Sequence, residues 1–268
     1  MKDYTVDKIR NVALVGHGSS GKTSLAAAFL FDTGATSRLT KVDKGNTVTD
    51  YDPDEIERKI SINATPCFCE WKDHKVNVVD TPGYSNFLWD TKAALRAVDG
   101  AAVLVDAVAG VEVGTEKVWE MLEERGLPRI FVVNKMDREN ANFNRALESV
   151  REFFGRQAVP VELPIGEEKA FAGVVDVVEK KAYTFEKDES GRMAEGPVPA
   201  ALADEVEKRY KELLEMVAES DEKLMEKYFE SGELAPEEFR SGLKKSILNR
   251  QIFPVFAASG LANIGAQT

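Results

Sequence analysis

A glycine-rich segment near the amino terminus has the residue types and spacing needed to hold phosphate groups. Its glycines would let backbone N–H groups curl around phosphate oxygens, and the first turn of a following helix adds partial positive charge. In this pattern, G-x-x-x-x-G-K-[ST], Lys22 reaches the β- and γ-phosphates and Thr23 offers its hydroxyl to Mg²⁺. The sequence therefore predicts a phosphate-binding loop with nucleotide contacts at Gly16, His17, Gly18, Ser19, Ser20, Gly21, Lys22, Thr23 and Ser24.

A second turn, Asp80-Thr81-Pro82-Gly83, follows an apolar strand one βαβ unit later. Asp80 would lie at the carboxyl end of that strand, beside the phosphate loop, where it is suited to hold Mg²⁺ through water. Gly83 would allow a backbone N–H to approach the γ-phosphate. Such a turn is common by itself, but its place after the phosphate loop predicts a nucleotide site that includes Asp80, Thr81, Pro82, Gly83 and Tyr84.

The segment Asn134-Lys135-Met136-Asp137 follows another apolar strand and predicts the choice of base. The Asp137 carboxylate can accept two hydrogen bonds from guanine N1 and its exocyclic amine, whereas adenine presents the wrong donor pattern. A buried carboxylate left unpaired is expensive, so this contact discriminates strongly. We predict base-side contacts at Asn134, Lys135 and Asp137, and backbone contact with guanine O6 from the later turn Ser259-Gly260-Leu261.

The elements that must position these residues alternate along the chain. Apolar, β-branched runs at residues 11–15, 76–79, 101–105, 130–133 and 252–257 are typical of buried parallel strands. Amphipathic stretches at residues 22–32, 86–98, 112–125 and 142–154 lie between them and predict helices. This alternation predicts an α/β fold with a doubly wound, mostly parallel sheet, in which ligands bind beyond the carboxyl ends of the strands.

The long gap before the last strand predicts an inserted α+β subdomain. A β-like stretch at 174–185, a turn-rich segment at 187–199 and helices near 201–220 and 236–250 fall within it. We place the nucleotide-binding domain at residues 1–158 and 251–268 and the inserted subdomain at 159–250. The helix near 201–220 is expected to pack on the small sheet, with partner contact as an additional possibility.

Bulk composition narrows the class of protein. The 268 residues include 43% hydrophobic side chains and can bury a sizeable core, while the net charge of −11 argues against a broad basic surface for naked nucleic acid. Cys67 and Cys69 are too close along one strand to bridge each other easily, which favours a reduced compartment. No apolar run approaches the ~20 residues of a membrane span. We expect a cytoplasmic monomer that binds neither free DNA nor membranes.

The ordered set GHGSSGKT, DTPG, NKMD and SGL identifies a P-loop NTPase of the GTPase type. Three longer segments, NKMDRENANF, VELPIGEEKAFAGVVDVVEKKAY and PVFAASGLANIGAQ, resemble the elongation factor G-like translational GTPases, including the insertion in their GTPase domain. The resemblance covers nearly the whole chain. It implies GTP and GDP as nucleotides, Mg²⁺ as cofactor and the ribosome as partner of a longer protein, since the sequence stops at residue 268 without the family's closing helix and later domains.

The resemblance also implies roles for individual residues. Ser61 stands where the family has a switch threonine that ligates Mg²⁺, so the metal ligands are expected to be Thr23, Ser61 and Asp80. Hydrolysis would use Lys22, Gly83 and Tyr84. Tyr84 replaces the family's water-orienting histidine, and a phenol with a pKa near ~10 cannot carry positive charge at neutral pH. Two further positions depart from the family pattern. Gly18 stands where the family has a bulky apolar residue, and Ser19 stands where it has an aspartate.

Two functions from different classes therefore remain open. The first is a ribosome-stimulated GTPase that is slow in isolation. The second is a GTP-gated ribosome-binding module with vestigial hydrolysis, or a factor of the ribosome-protection type. The segment 50–63, which contains Ser61, is expected to be a mobile polar loop in either case.

Overall fold

The five strands expected from the apolar runs form the centre of a seven-stranded sheet in a computed structural model that describes residues 2–268. Its members are β1 (Ile9–Gly16), β2 (Thr65–Trp71), β3 (His74–Asp80), β4 (Gly100–Asp106), β5 (Arg129–Asn134), β6 (Ala158–Pro160) and β11 (Phe253–Ala257). The strand order is β2-β3-β1-β4-β5-β11-β6, and every neighbouring pair is parallel except β2 with β3. The predicted α/β fold with a mostly parallel sheet is confirmed.

Five helices connect these strands. They are α1 (Lys22–Asp32), α2 (Pro53–Arg58), α3 (Leu88–Ala94), α4 (Val113–Arg125) and α5 (Phe143–Phe154). Helix α3 ends before the predicted limit at residue 98, because the N–H groups of Arg96 and Ala97 bond to carbonyls only three residues earlier. The apolar pattern continues through buried Leu95 and Val98, so it marks a buried face but not the end of the α-helix.

The segment 50–63 is better packed than its composition indicates. Asp52 caps α2, and the carboxylate of Glu55 is fully buried. Glu55 Oε1 accepts hydrogen bonds from the N–H groups of Ile62 (2.9 Å) and Asn63 (3.0 Å). One buried side chain therefore ties the two ends of this polar segment together. Most of its other side chains are exposed, as expected, and its mobility stays a prediction.

The insertion contains a four-stranded antiparallel sheet and three helices. The strands are β7 (Glu162–Ile165), β8 (Gly173–Asp176), β9 (Lys181–Phe185) and β10 (Met193–Pro197). The helices are α6 (Ala203–Glu219), α7 (Glu222–Ser231) and α8 (Pro236–Leu248). Strand β10 lies in the segment predicted to be turn-rich, and α7 was not predicted. Neither element has an apolar side chain that is fully buried, so neither produces a strong hydrophobic pattern.

The two sheets share one core, in which Phe253 and Val255 of β11 belong to the same buried cluster as Leu163 of β7 and Val174 of β8. The predicted boundary after residue 158 falls inside β6, which pairs with β11. The division into two domains stays a prediction. Within residues 2–268, no helix has the length and apolar character needed to cross a membrane.

Candidate nucleotide site

The phosphate loop occupies the turn between β1 and α1. Gly16 has φ +143° and Gly21 has φ +93°, backbone conformations that side chains rarely adopt. A Cβ at Gly16 would also lie 2.4 Å from the Leu104 carbonyl oxygen. The glycines at these two positions are therefore required by the path of the backbone. The following helix begins at Lys22, so its first N–H groups point toward the loop.

Lys22 is buried at the base of this loop. Its Nζ donates to the carbonyl oxygens of Gly16 (3.2 Å) and His17 (2.8 Å). Burial lowers the pKa of Lys22 to about 8. Lys22, Thr23 and Ser24 line one cavity together with Asp50, Ser61 and Gly83, so the loop and the segment 50–63 face the same space.

The residues predicted to hold a metal ion meet beside Thr23. Thr23 Oγ1 and Ser61 Oγ share a hydrogen bond of 3.0 Å, and Thr49 Oγ1 donates to Asp80 Oδ2 over 2.7 Å. The Asp80 carboxylate is buried, and its Oδ1 has no hydrogen-bond partner within residues 2–268. Burial also raises the pKa of Asp80. The unpartnered Asp80 oxygen and the hydroxyls of Thr23 and Ser61 together form an oxygen donor set of the kind that Mg²⁺ prefers.

Asp50 is a further acidic residue of this site that the sequence analysis missed. Its side chain is buried, and neither carboxylate oxygen has a hydrogen-bond partner in the described part of the chain. Burial raises the pKa of Asp50 to about 6. Among residues 2–268, no group of three or more His, Cys, Asp or Glu side chains could hold a metal ion by itself. An Mg²⁺ here would therefore need phosphate and water oxygens, which is its usual preference.

The turn that follows β3 packs directly onto the phosphate loop. Thr81 Oγ1 donates to the Leu14 carbonyl oxygen over 2.6 Å, and Thr91 Oγ1 donates to the Pro82 carbonyl oxygen over 2.7 Å. A Cβ at Gly83 would lie 2.7 Å from both the Gly16 carbonyl oxygen and the Gly18 nitrogen, and 2.4 Å from Lys22 Nζ. Because two of these atoms belong to the backbone and cannot move aside, only a glycine lets the turn come this close to the phosphate loop.

Tyr84 lies across the phosphate loop and is 38% exposed. Its phenolic oxygen is 2.9 Å from Ser19 Oγ. His17 points elsewhere: its Nδ1 accepts the Gly114 N–H over 3.1 Å, and its Nε2 lies 3.4 Å from Glu112. Any contact of His17 with a phosphate would therefore come from its backbone.

Asn134 braces the loops on the opposite side of the site. Its Nδ2 donates to the Ser20 carbonyl oxygen (2.9 Å), and its Oδ1 accepts the Gly260 N–H (3.0 Å). Lys135 has φ +64°, and its Nζ donates to Asp106 Oδ2 over 2.8 Å. These contacts connect the phosphate loop with the turns after β5 and β11.

Asp137 is held from the turn after β11. Ser259 Oγ donates to Asp137 Oδ1 over 2.5 Å. Two of the three predicted backbone donors are already used: the Ser259 N–H bonds to Ile264 and the Gly260 N–H bonds to Asn134. Within residues 2–268, the Leu261 N–H is the one of the three without a hydrogen bond. Leu261 is 45% exposed and can be approached by a base.

Residues 7–268 match the family model described as the elongation factor Tu GTP binding domain. The chain belongs to this family. As a member of the elongation factor Tu GTP-binding domain family it is a GTP-binding domain of the translational GTPase type.

Two similar proteins are named elongation factor G. The one from Thermotoga petrophila is 39% identical over 262 residues and that from Thermotoga maritima 38%, each match covering 98% of this chain and 38% of the relative. A crystal structure of a protein from Thermus thermophilus superposes with a TM-score of 0.91 at 38% identity, over 97% of this chain and 38% of that one. The chain thus spans about two fifths of the length of these relatives.

Proposed function

We propose that this GTP-binding domain binds Mg²⁺ and GTP and hydrolyses GTP to GDP and phosphate, slowly in isolation, as the nucleotide-binding part of an elongation factor G-like protein that acts on the ribosome. One observation carries the proposal: Lys22, Thr23 and Ser61 line one cavity at the phosphate loop. The Asp137 carboxylate, which Ser259 fixes by a hydrogen bond, supports the choice of guanine. The two relatives named elongation factor G support the link to the ribosome.

Each group of residues has a separate task in this proposal. The backbone N–H groups of residues 16–24 and the Lys22 ammonium bind the phosphates. Asp137 accepts the two N–H donors of guanine, and the Leu261 N–H donates to its O6. Thr23, Ser61 and Asp80, with Asp50 added, hold Mg²⁺ directly or through water. When bound, Mg²⁺ neutralises charge on the phosphate oxygens during transfer.

Hydrolysis requires water in line with the bond between the β- and γ-phosphates. The Lys22 ammonium would stabilise charge that develops on the phosphate oxygens, and the Gly83 N–H would hold the γ-phosphate. Tyr84 stands where the resembled family has its water-orienting histidine, and a phenol, unlike an imidazole, offers no positive charge there. Slow hydrolysis follows from this absence of positive charge.

The Ser19–Tyr84 contact favours the second candidate function. A phenol that shares a hydrogen bond with Ser19 has fewer donor and acceptor sites left with which to orient water. The domain would then act as a GTP-gated module whose bound nucleotide orders a ribosome-docking surface, in a ribosome-binding or ribosome-protection factor.

Single-turnover GTP hydrolysis by the full-length protein, with and without ribosomes, separates the two functions. An increase of at least about 100-fold on ribosomes, a size typical of one well-placed catalytic group, supports the ribosome-stimulated enzyme. A slow rate that ribosomes leave unchanged, together with ribosome binding that depends on GTP, supports the gated module. The Lys22→Ala variant is the control, because it removes a phosphate ligand and should abolish both responses.

Location and assembly are part of the same proposal. We propose a monomer in the cytoplasm with the ribosome as macromolecular partner and with no binding to free DNA or membranes. Cys67 and Cys69 are both free and lie in β2, and burial raises the pKa of Cys67 to about 12, which keeps it a neutral thiol. Two unpaired thiols support a reducing compartment.

A further inference from the structure

Gly18, Ser19 and Tyr84 form one contact between the phosphate loop and the turn after β3. The Tyr84 phenol bonds to Ser19, and its ring lies over Gly18. A Cβ at Gly18 would lie 2.9 Å from both Cε1 and Cζ of the ring, closer than real Cβ atoms approach a neighbour. The absence of a side chain at Gly18 therefore creates the space that the Tyr84 ring occupies.

Ser19 has a backbone conformation that is unusual for its residue type. Its φ of +65° lies in the left-handed region, where glycine and asparagine are favoured. Its side-chain hydroxyl is hydrogen-bonded to Tyr84 and has no other hydrogen-bond partner within residues 2–268. Serine at this position therefore accepts local strain and supplies a hydroxyl that glycine would lack.

The other end of the contact reaches the lysine of the phosphate loop. Tyr84 directly follows Gly83, whose backbone packs against Lys22 Nζ and the Gly18 N–H. Fixing the Tyr84 ring therefore also fixes the position of the Gly83 backbone. In the proposed function, that backbone contacts the γ-phosphate, which GTP has and GDP lacks.

We propose, as an extension of the proposed function, that Ser19 is a positioning residue that holds Tyr84 across the phosphate loop and keeps the turn of residues 80–84 closed over the γ-phosphate of bound GTP. Gly18 provides the space for this arrangement. The contact retains GTP and has little effect on GDP, because only GTP presents the group over which the turn closes. We call this arrangement the latch: it consists of the hydrogen bond between Ser19 and Tyr84 and the contact of the Tyr84 ring with Gly18.

The test is a double-mutant cycle on nucleotide dissociation from the 268-residue chain. Stopped-flow fluorescence would follow release of a fluorescent, non-hydrolysable GTP analogue and, separately, of fluorescent GDP. Ser19→Gly relaxes the backbone and removes the hydroxyl, and Tyr84→Phe keeps the ring and removes the phenol. Each should speed release of the GTP analogue about fivefold, the usual size of one hydrogen bond. The double variant should be no faster than either single variant.

Ser19→Asn is the matched control, because asparagine tolerates the left-handed conformation and its side-chain oxygen can accept the phenol proton. It should restore slow release of the GTP analogue. Because residues 18 and 19 belong to the loop that binds the phosphates of both nucleotides, GDP release from each variant measures any general loosening of the loop and shows that the variant is folded. The readout is the ratio of GTP-analogue release to GDP release, which should rise about fivefold in Ser19→Gly and Tyr84→Phe and stay near the wild-type value in Ser19→Asn. Additive effects, equal acceleration of GDP release, or a Ser19→Asn variant as fast as Ser19→Gly would overturn the proposal.

Gly18→Ala provides an independent steric test. The added methyl group should displace the Tyr84 ring and speed release of the GTP analogue, although both hydroxyls remain. In a Tyr84→Ala background the same change should have no effect, because the ring is gone. A Gly18→Ala variant with wild-type release would contradict the latch. If the wild-type chain binds no GTP analogue at all, the proposed function itself fails, which distinguishes the two outcomes.

Discussion

Ser259 Oγ donates a hydrogen bond to Asp137 Oδ1 over 2.5 Å and accepts the Ala262 N–H over 3.1 Å. Two turns that are far apart in the sequence are thereby joined at the side chain proposed to read the base. The position of the Asp137 carboxylate is consequently set before a nucleotide arrives. Preorganisation of this kind increases the penalty for a base with the wrong donor pattern.

Replacing Asp137 with Asn should exchange the base preference. The new amide N–H₂ would face the N–H donors of guanine and could not pair with them. Xanthine carries an oxygen in place of the exocyclic amine, so the same amide could donate to it. We expect GTP affinity to fall on the order of 100-fold, as for loss of charged hydrogen bonds worth about 3 kcal/mol, while xanthosine triphosphate affinity rises. Isothermal titration with both nucleotides measures this. Ser259→Ala is the control, since it should weaken GTP binding without gain of xanthosine triphosphate binding. A variant that still prefers GTP would contradict the assignment of Asp137.

Replacing Tyr84 with His should accelerate hydrolysis. An imidazole can orient water and can carry positive charge near neutral pH, whereas the phenol supplies at most the first of these. A positioned charge at such a site is commonly worth ~3 kcal/mol, or about two orders of magnitude in rate. Single-turnover hydrolysis in the full-length protein with ribosomes is the measurement. Rapid hydrolysis by wild type that Tyr84→Phe abolishes would instead show that the phenolic hydroxyl is catalytic.

Glu162 should make the stability of the chain depend on pH. Its side chain is buried between the two sheets, its Oε2 accepts the Ala257 N–H over 3.3 Å, and burial raises its pKa from 4.5 to about 8. Because the folded-state pKa is raised, the protonated form is favoured by folding. This contribution is fully present below about pH 4.5 and is lost as the pH rises toward 8.

The Glu162→Gln variant isolates this effect. Glutamine keeps the size and an acceptor but cannot ionise, so between pH 5.5 and pH 8 the wild type should lose up to about 3 kcal/mol relative to the variant. Urea unfolding of both proteins at the two pH values measures the difference. Equal losses in wild type and variant would mean that Glu162 does not ionise within the folded protein in this range.

Two strand glycines of the inserted sheet should respond differently to alanine. A Cβ at Gly173 in β8 would lie 2.0 Å from the Tyr183 carbonyl oxygen, whereas a Cβ at Gly196 in β10 would meet nothing within 4 Å. We expect Gly173→Ala to lower the free energy of unfolding by about 2 kcal/mol or more, as overpacking against backbone does. Gly196→Ala should change it by less than about 0.5 kcal/mol. Similar urea midpoints for the two variants would contradict the close approach of β8 to the neighbouring strand β9 at Gly173.

The sequence was informative where function depends on local pattern. The strand-loop-helix context of Lys22 and the strand-end positions of Asp80 and Asp137 could be predicted because parallel strands bring their carboxyl ends to one edge of a sheet. Asp50 was missed because no motif surrounds it; its carboxylate belongs to the site only through the path of the segment that Glu55 anchors. The contact of Ser19 with Tyr84 was also invisible, since it joins loops that are distant along the chain.

The central claim, that the chain is a GTP-binding domain with guanine selectivity, is tested most directly by competition titration. Fluorescent GDP bound to the 268-residue chain in the presence of Mg²⁺ would be displaced by unlabelled GTP, GDP or ATP. We predict that GTP and GDP compete at similar concentrations and that ATP requires at least about 100-fold more, because adenine lacks the two N–H donors that the Asp137 carboxylate would accept from guanine. Displacement by ATP at the same concentration as GTP would contradict the account.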